Sequence, residues 1–259
     1  MVMVAGSQRT TAWTRYDPEL GVQPGAPVRT GLVVIATDHT SERDLRRILP
    51  PAMDIVVSRV PCRTVTTVET LGEMATDLTR AADLLLPGSV LNAIAFACTT
   101  GAIVIGETEV ARRIRLARPG IAVTTPIEAA MAACRALGIK RLSLVLPYVL
   151  AVNRRVVSRL EAEGLDVVSV VSFEQESDLD MARVTPAAII DAGIAADRPS
   201  ADGVFVSCTA LRAAEAAEQL ETRIGKAVIT SNQALAWHLL RLTGIATSVA
   251  GYGALLRNH

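Results

Sequence analysis

Residues 93–100 read Ala93-Ile94-Ala95-Phe96-Ala97-Cys98-Thr99-Thr100, and residues 202–210 read Asp202-Gly203-Val204-Phe205-Val206-Ser207-Cys208-Thr209-Ala210. Each is a short, continuous apolar run that stops at a Cys-Thr pair. Such a run, without polar alternation, fits a strand buried on both faces. The Cys then stands where the strand hands over to the next helix. In open parallel sheets, ligands gather beyond the carboxyl ends of the strands, so each Cys falls where chemistry is expected. Two copies of one pattern imply a duplicated lobe, and pseudo-twofold symmetry would set the two thiols on opposite walls of one cleft.

Outward from these stretches, further strand candidates are 31–36, 54–60 and 122–124 in the first half, and 141–146, 166–173 and 227–230 in the second. Amphipathic segments separate them, which is the rhythm of strands joined by right-handed crossover helices. The fold class predicted is α/β, with two pseudo-symmetric lobes, each a four-stranded parallel sheet flanked by helices. Thr125-Pro126 caps a helix over 127–137, and Gly138 stops it. The expected divisions are an N-terminal arm over 1–28 with a turn-rich end at 21–27, a first lobe over 29–125 completed by the C-terminal helical segment 234–259, and a second lobe over 126–233. A length of 259 residues also favours two lobes, because it lies near the upper limit for one core.

Half the residues are hydrophobic but only 3% are aromatic, so Ala, Val, Leu and Ile must build the core, as layered α/β folds allow. The 26 basic residues balance the 26 acidic ones without a long basic run, which speaks against nucleic acid or an anionic membrane as a partner. Cys62, Cys98, Cys134 and Cys208 form no C-x-x-C pair and have no His at zinc spacing. They read as free thiols in a reducing compartment, with no metal and no organic cofactor. No apolar stretch has the shape of a leader or reaches about 18 residues, so a soluble cytoplasmic protein is expected. The expected partners are a small carboxylate substrate and further copies of the chain, as a homodimer or larger homo-oligomer.

Paired thiols on either side of one molecule suit stereochemical work: one takes or gives a proton, or adds to carbon, while the other serves the opposite face. Taken alone, either Cys reads as a small buried hydrophobe at a strand end; the matched pair favours catalysis. Cys62 and Cys134 lack such a match and are assigned to packing. The amides of Thr99, Thr100 and Gly101, and of Thr209 and Ala210, lie at helix starts that can favour a thiolate or cradle a carboxylate. Asp38, at the end of the first strand, either binds substrate, orients a thiol or caps the next helix. Tyr148 follows the fifth strand, with its hydroxyl expected on the cleft floor, and Asn153 begins the helix beyond it. Ser231-Asn232-Gln233 either lines the cleft or caps a helix over 234–242, with capping the favoured role. His39, His238 and His259 support no His-Cys dyad.

With these residues in view, the chain from about Gly31 to Gly253 resembles the aspartate/glutamate racemase superfamily, in its maleate isomerase and arylmalonate decarboxylase branch. The motifs are Phe96-Ala97-Cys98-Thr99-Thr100-Gly101 followed by Gly106-Glu107, Pro147-Tyr148 with Asn153, Ser207-Cys208-Thr209, and the run from Thr230 to His238. Together they look most like the ectoine-utilisation protein A group. The resemblance implies a cofactor-independent isomerase or racemase on a small carboxylate, in which Cys98 adds to carbon, Cys208 protonates and Tyr148 positions the substrate. An arylmalonate-type decarboxylase using Cys208 as proton donor and a non-catalytic binding protein are the alternatives. The family's Asn after the first strand is Asp38 here, and its later cleft Asn falls near Asp178. Two acids in place of amides would repel a dicarboxylate and welcome an amino or amidine group. Amino-acid racemases of the superfamily carry Cys-Asn-Thr and Cys-Thr-His or Cys-Thr-Glu, unlike the Cys-Thr-Thr and Cys-Thr-Ala present here.

Overall fold

Eight apolar runs become eight parallel strands in a computed structural model that describes residues 12–21 and 28–259. Most of the arm expected over 1–28 lies outside the described residues. The first sheet holds β1 (Val28–Ile35), β2 (Met53–Val60), β3 (Ala93–Ala97) and β4 (Ala122–Thr124), in the order β2-β1-β3-β4. The second holds β5 (Arg141–Tyr148), β6 (Asp166–Gln175), β7 (Gly203–Val206) and β8 (Ala227–Thr230), in the matching order β6-β5-β7-β8. Sequence-predicted and observed strands agree to within a few residues.

Helices connect the strands throughout. The first half carries α1 (Ser41–Ile48), α2 (Val68–Glu73), α3 (Leu78–Asp83), α4 (Thr99–Ile105), α5 (Glu107–Ala117) and α6 (Pro126–Leu137). The second carries α7 (Leu150–Ala162), α8 (Asp178–Met181), α9 (Pro186–Ala196), α10 (Ala217–Ile224), α11 (Ser231–Leu242) and α12 (Ala254–Asn258). Thr125 accepts the Glu128 amide at the start of α6, and Gly138 ends it in the left-handed region, so both terminal signals act as read. Helix α11 begins three residues earlier than its apolar pattern suggested. Thr230, rather than Ser231 to Gln233, is its N-cap, and the Gln233 side chain reaches back to accept the Thr230 amide.

The central strands explain the composition. Every residue of β3 and β7 is buried, and Phe96 and Phe205 are fully enclosed among aliphatic neighbours. The helix after the last strand of each sheet crosses to the other sheet: α6 packs on β8, α11 packs on α1, β3 and β4, and the two helices pack on each other. This exchange welds the lobes along the line where β3 and β7 end. Among the described residues, no helix is long and apolar enough to cross a membrane.

Gly203 shows how closely the second sheet is packed. A Cβ there would stand 2.8 Å from both the Ala227 carbonyl oxygen and Ile139 Cδ1, and backbone cannot swing aside as a side-chain tip can. Gly203→Ala is therefore expected to destabilise the protein by about 1–3 kcal/mol through overpacking. A denaturant titration with an unchanged midpoint would contradict this.

Candidate active site

Cys98 and Cys208 occupy equivalent turns but reach them differently. After β3 the chain passes directly into Cys98, whose extended backbone makes it the N-cap of α4 and whose sulfur accepts the Gly101 amide at 3.3 Å. Gly101 is needed because a Cβ there would lie 2.9 Å from that sulfur and 2.5 Å from Met74 Cε. In the second lobe Ser207 adds one residue between Phe205 and the Cys, which breaks the period-two alternation of side chains. Cys208 absorbs the difference with φ at 105°, a conformation that L residues avoid. Backbone strain of this kind costs about 1–3 kcal/mol and persists only where surrounding contacts impose it.

Those contacts form a seam between the lobes. The Ser231 hydroxyl accepts the Cys208 amide at 3.0 Å and pairs with the Thr99 hydroxyl, also at 3.0 Å. Thr209 donates its hydroxyl to the Ala97 carbonyl at 3.2 Å, Thr40 donates to the Ala210 carbonyl, and Asn232 spans Thr209 and Asp44. Each Cys-Thr motif thus holds the other. Cys208 is close enough to act electrostatically on Cys98. Tyr148, 2% exposed, lies beside them, with its hydroxyl 3.3 Å from Ser207 Oγ and in reach of the Cys208 sulfur.

The site is covered. Cys98 is 5% exposed and Cys208 4%, and the Cys208 thiol donates to Met181 Sδ at 3.7 Å. Met181 belongs to α8, on a segment clasped to the first lobe: the Thr66 amide donates to the Glu176 carbonyl at 2.8 Å, Val65 bridges Ser177, and Thr37 Oγ1 donates to Asp178 Oδ2 at 3.0 Å. A substrate reaches the sulfurs only by displacing this cover. Burial pushes the Cys208 thiol up to about 12, with the negative charge of Asp178 adding to it, and the same two causes raise Cys98 further. Burial likewise raises Tyr148. Burial thus favours the neutral thiol at both positions.

The remaining candidates divide. Thr99, Thr100 and Thr209 are buried at the two turns, and α4 leaves the first amides, those of Thr99 and Thr100, outside its own ladder. The Ala210 amide is directed at the Cys208 sulfur at 3.3 Å and so serves the thiol. Asp38 follows its capping alternative: its carboxylate accepts the amides of Thr40 and Ser41 and the Ser41 hydroxyl at the start of α1. Asn153 donates its amide to the Tyr148 carbonyl and to Ser172 Oγ, which braces the turn after β5, while its buried Oδ1 has no partner among the described residues. Asp178 lies at the first turn of α8, half-buried; desolvation and the nearby charge of Asp38 raise its carboxyl above the ordinary range, and any charge it carries acts on both thiols. Met181 and Thr37 were not singled out for the cleft from sequence, and nothing local marks Met181; Ser231 stood in a stretch read as lining the cleft or capping a helix. Among the described residues, no group of three or more His, Cys, Asp or Glu side chains is arranged to hold a metal ion.

Comparison with known proteins follows this geometry. The family model for arylmalonate decarboxylase matches residues 93–256, well over half the chain. The arylmalonate decarboxylase of Bordetella bronchiseptica is 34% identical over 139 residues, covering 52% of this chain; the chain spans only 58% of that relative's length. The maleate isomerase of Geobacillus stearothermophilus is 24% identical over 247 residues, 88% of this chain and 96% of its own. A solved variant of Nocardia farcinica maleate cis-trans isomerase, with a cysteine replaced by serine and a covalently bound succinylcysteine intermediate, superposes with a TM-score of 0.81 at 24% identity, covering 90% of this chain and 99% of that one. It shares the fold of two four-stranded parallel sheets flanked by helices.

Two outcomes follow from the turn and the burial. Cys208→Gly relieves the backbone strain that Cys208→Ala retains, so the glycine variant is expected to be more stable by about 1 kcal/mol despite its freer unfolded chain. The reverse order in chemical denaturation would mean the turn is unstrained. The thiols have folded pKa values raised above the ordinary 9.0, to about 12 for Cys208 and for Cys134. The stability they lend is whole below pH 9 and is lost as pH climbs toward 12. Melting temperature should fall between pH 8.5 and 11, and less so in a Cys98→Ala, Cys208→Ala double variant; parallel curves would refute it.

Proposed function

Because the chain belongs to the arylmalonate decarboxylase family, we propose that it is a cofactor-independent two-cysteine isomerase or racemase acting on a small carboxylate, in the manner of a maleate cis-trans isomerase. The observation that carries this reading is the pair of thiols at matching strand ends, locked together by the Ser231 seam beside the first amides of α4. Those amides, on Thr99 and Thr100, seat the substrate carboxylate. Cys98 then joins its sulfur to one carbon of the substrate double bond while Cys208 gives a proton to the neighbouring carbon. The Cys98 proton restores Cys208, so the net step is addition of S–H across the bond. The resulting single bond rotates, and reversal of both transfers releases the other isomer. The succinylcysteine on the Nocardia enzyme is the species this step forms from maleate. Proton removal by one thiol and return by the other, on opposite faces of a carbon next to the carboxylate, would instead invert a stereocentre.

Neutral resting thiols fit this scheme. A proton donor that titrates at about 12 stays protonated through the neutral range. Closure of α8 over the site keeps water from competing for the intermediate.

The 34% identity to the Bordetella enzyme favours a second reading, decarboxylation of a malonate-like acid. There the backbone amides hold the enediolate left by carbon dioxide loss, and Cys208 protonates it. Cys98 is dispensable to that reaction.

Within the family, the motifs from Phe96 to Gly101 and from Thr230 to His238 support placement in the ectoine-utilisation protein A group, acting in the cytoplasm on an ectoine-derived acid. Assembly as a homodimer or larger homo-oligomer is supported by Leu150 and Val170, exposed beside the unpaired edge of β6.

The experiment is solvent exchange in deuterium oxide with maleate, phenylmalonate and ectoine-derived amino acids. Wild type is expected to isomerise or exchange at least one, and Cys98→Ser and Cys208→Ser each to lose a factor of about 10³ or more, as removal of a nucleophile or positioned acid does. Cys98→Gly that keeps full turnover of a malonate selects the decarboxylase. Equal exchange by wild type and both serine variants, or none with any substrate, would sink the thiol mechanism.

A further inference from the structure

The turn that carries Cys208 belongs to the second lobe, yet its carbonyls are held from α1 in the first. Thr40, which precedes α1, donates its hydroxyl to the Ala210 carbonyl at 2.9 Å. The Thr209 carbonyl is reached through an intermediary: Asn232 Nδ2 donates to it at 2.9 Å and to Asp44 Oδ2 at 3.0 Å. Asp44, on α1, is 4% exposed and Asn232 1%. The other Asp44 oxygen accepts Arg43 Nη2 at 2.9 Å, which leaves Oδ2 for Asn232. Both neighbours of the Asn232 amide are acceptors, so its NH2 group must face them, and its buried Oδ1 has no hydrogen bond among the described residues. A buried acid and a buried acceptor without a donor are both costly, and both are kept at the turn where Cys208 holds φ at 105°.

We propose that Asp44 is a positioning residue for Cys208: through Asn232 it fixes the Thr209 carbonyl, and with it the amide that aims the Cys208 sulfur. This rests on the two-thiol reading above and adds the residues that orient the second thiol. The Thr209 carbonyl and the Ala210 N–H belong to one planar trans peptide, where they point opposite ways. Asn232 holds the oxygen on one side, and the N–H on the other is directed at the Cys208 sulfur at 3.3 Å. Ser231, the preceding residue of α11, holds the Cys208 amide at 3.0 Å, so neighbouring side chains grip the peptide that enters Cys208 and the one that leaves Thr209. Because α1 and Cys98 belong to the same lobe, a hold from Asp44 sets the Cys208 turn in the frame of its partner thiol.

Amide hydrogen exchange and kinetics on the full chain test this. Asn232→Ala should speed exchange of the Cys208 and Ala210 amides by about tenfold or more while the amides of β3 and β7 keep their protection. On whichever substrate the deuterium screen identifies, kcat should fall by about tenfold or more with KM within about threefold, since orientation is lost and binding is not. Asp44→Ala should lower kcat by about threefold or more, and the Asp44→Ala, Asn232→Ala double variant no further than Asn232→Ala alone, because both cut one chain of contacts. The swapped pair, Asp44→Asn with Asn232→Asp, rebuilds the hydrogen bond between α1 and α11 but sets a carboxylate against the Thr209 carbonyl. A link that only supports the fold would be rescued by the swap; here kcat should stay within about threefold of Asn232→Ala. Unchanged exchange of the two turn amides in a folded Asn232→Ala variant, protection lost equally from turn and strands, single losses that multiply in the double variant, or recovery of kcat in the swapped pair would overturn the proposal. Should Asn232→Ala fail to fold, Asn232→Ser and Asp44→Ala give the same readings. If no substrate turns over, the two-thiol reading fails, and the turn amides still decide whether Asp44 and Asn232 hold Cys208.

Discussion

The hydroxyl of Ser231 is the point on which the site depends. It accepts the amide of Cys208 and meets the hydroxyl of Thr99, so one side chain from the start of α11 holds a turn of each lobe. It is there because α11, although it follows the last strand of the second sheet, packs on the first. The strained backbone of Cys208 is tolerable only inside such a clamp. Cleft geometry and helix exchange are therefore one feature: separate lobes with their own helices would leave the two sulfurs free to drift.

Electrostatics complete the arrangement. Two thiols and a phenol are buried together near the half-buried carboxylate of Asp178, and burial favours their neutral forms. The segment from Glu176 to Met181 covers the sulfurs: Met181 accepts the Cys208 thiol, and hydrogen bonds from Thr66 and Thr37 tie the segment to the first lobe. The clasp and the surroundings of the thiols share a residue, because Asp178 accepts from Thr37 and also acts electrostatically on both thiols.

Much of the fold was legible in the sequence because strand burial leaves a local mark. A strand covered on both faces must be apolar at every position, so β3 and β7 announced themselves, and the Cys-Thr repeat exposed the duplication. Helix stops at Gly138 and caps at Thr125 are equally local. The partners of Asp38 were legible only as alternatives, since an Asp after a strand suits a cap and a ligand site alike; Thr40 and Ser41 decided it. Asn153 carried no sign of which way its amide would turn.

What the sequence by itself determined, then, is the pair of parallel sheets and the placing of one thiol at the end of a central strand in each, because these follow from neighbours within a few residues. Only the tertiary structure decided that Ser231 joins the two turns, that Cys208 carries the backbone strain, that Met181 packs against the Cys208 sulfur and that Thr37 ties Asp178 to the first lobe. Those features join residues up to 141 positions apart, as in Thr37 to Asp178. Contacts at such separation arise from how the lobes pack, and no local pattern of residues encodes them.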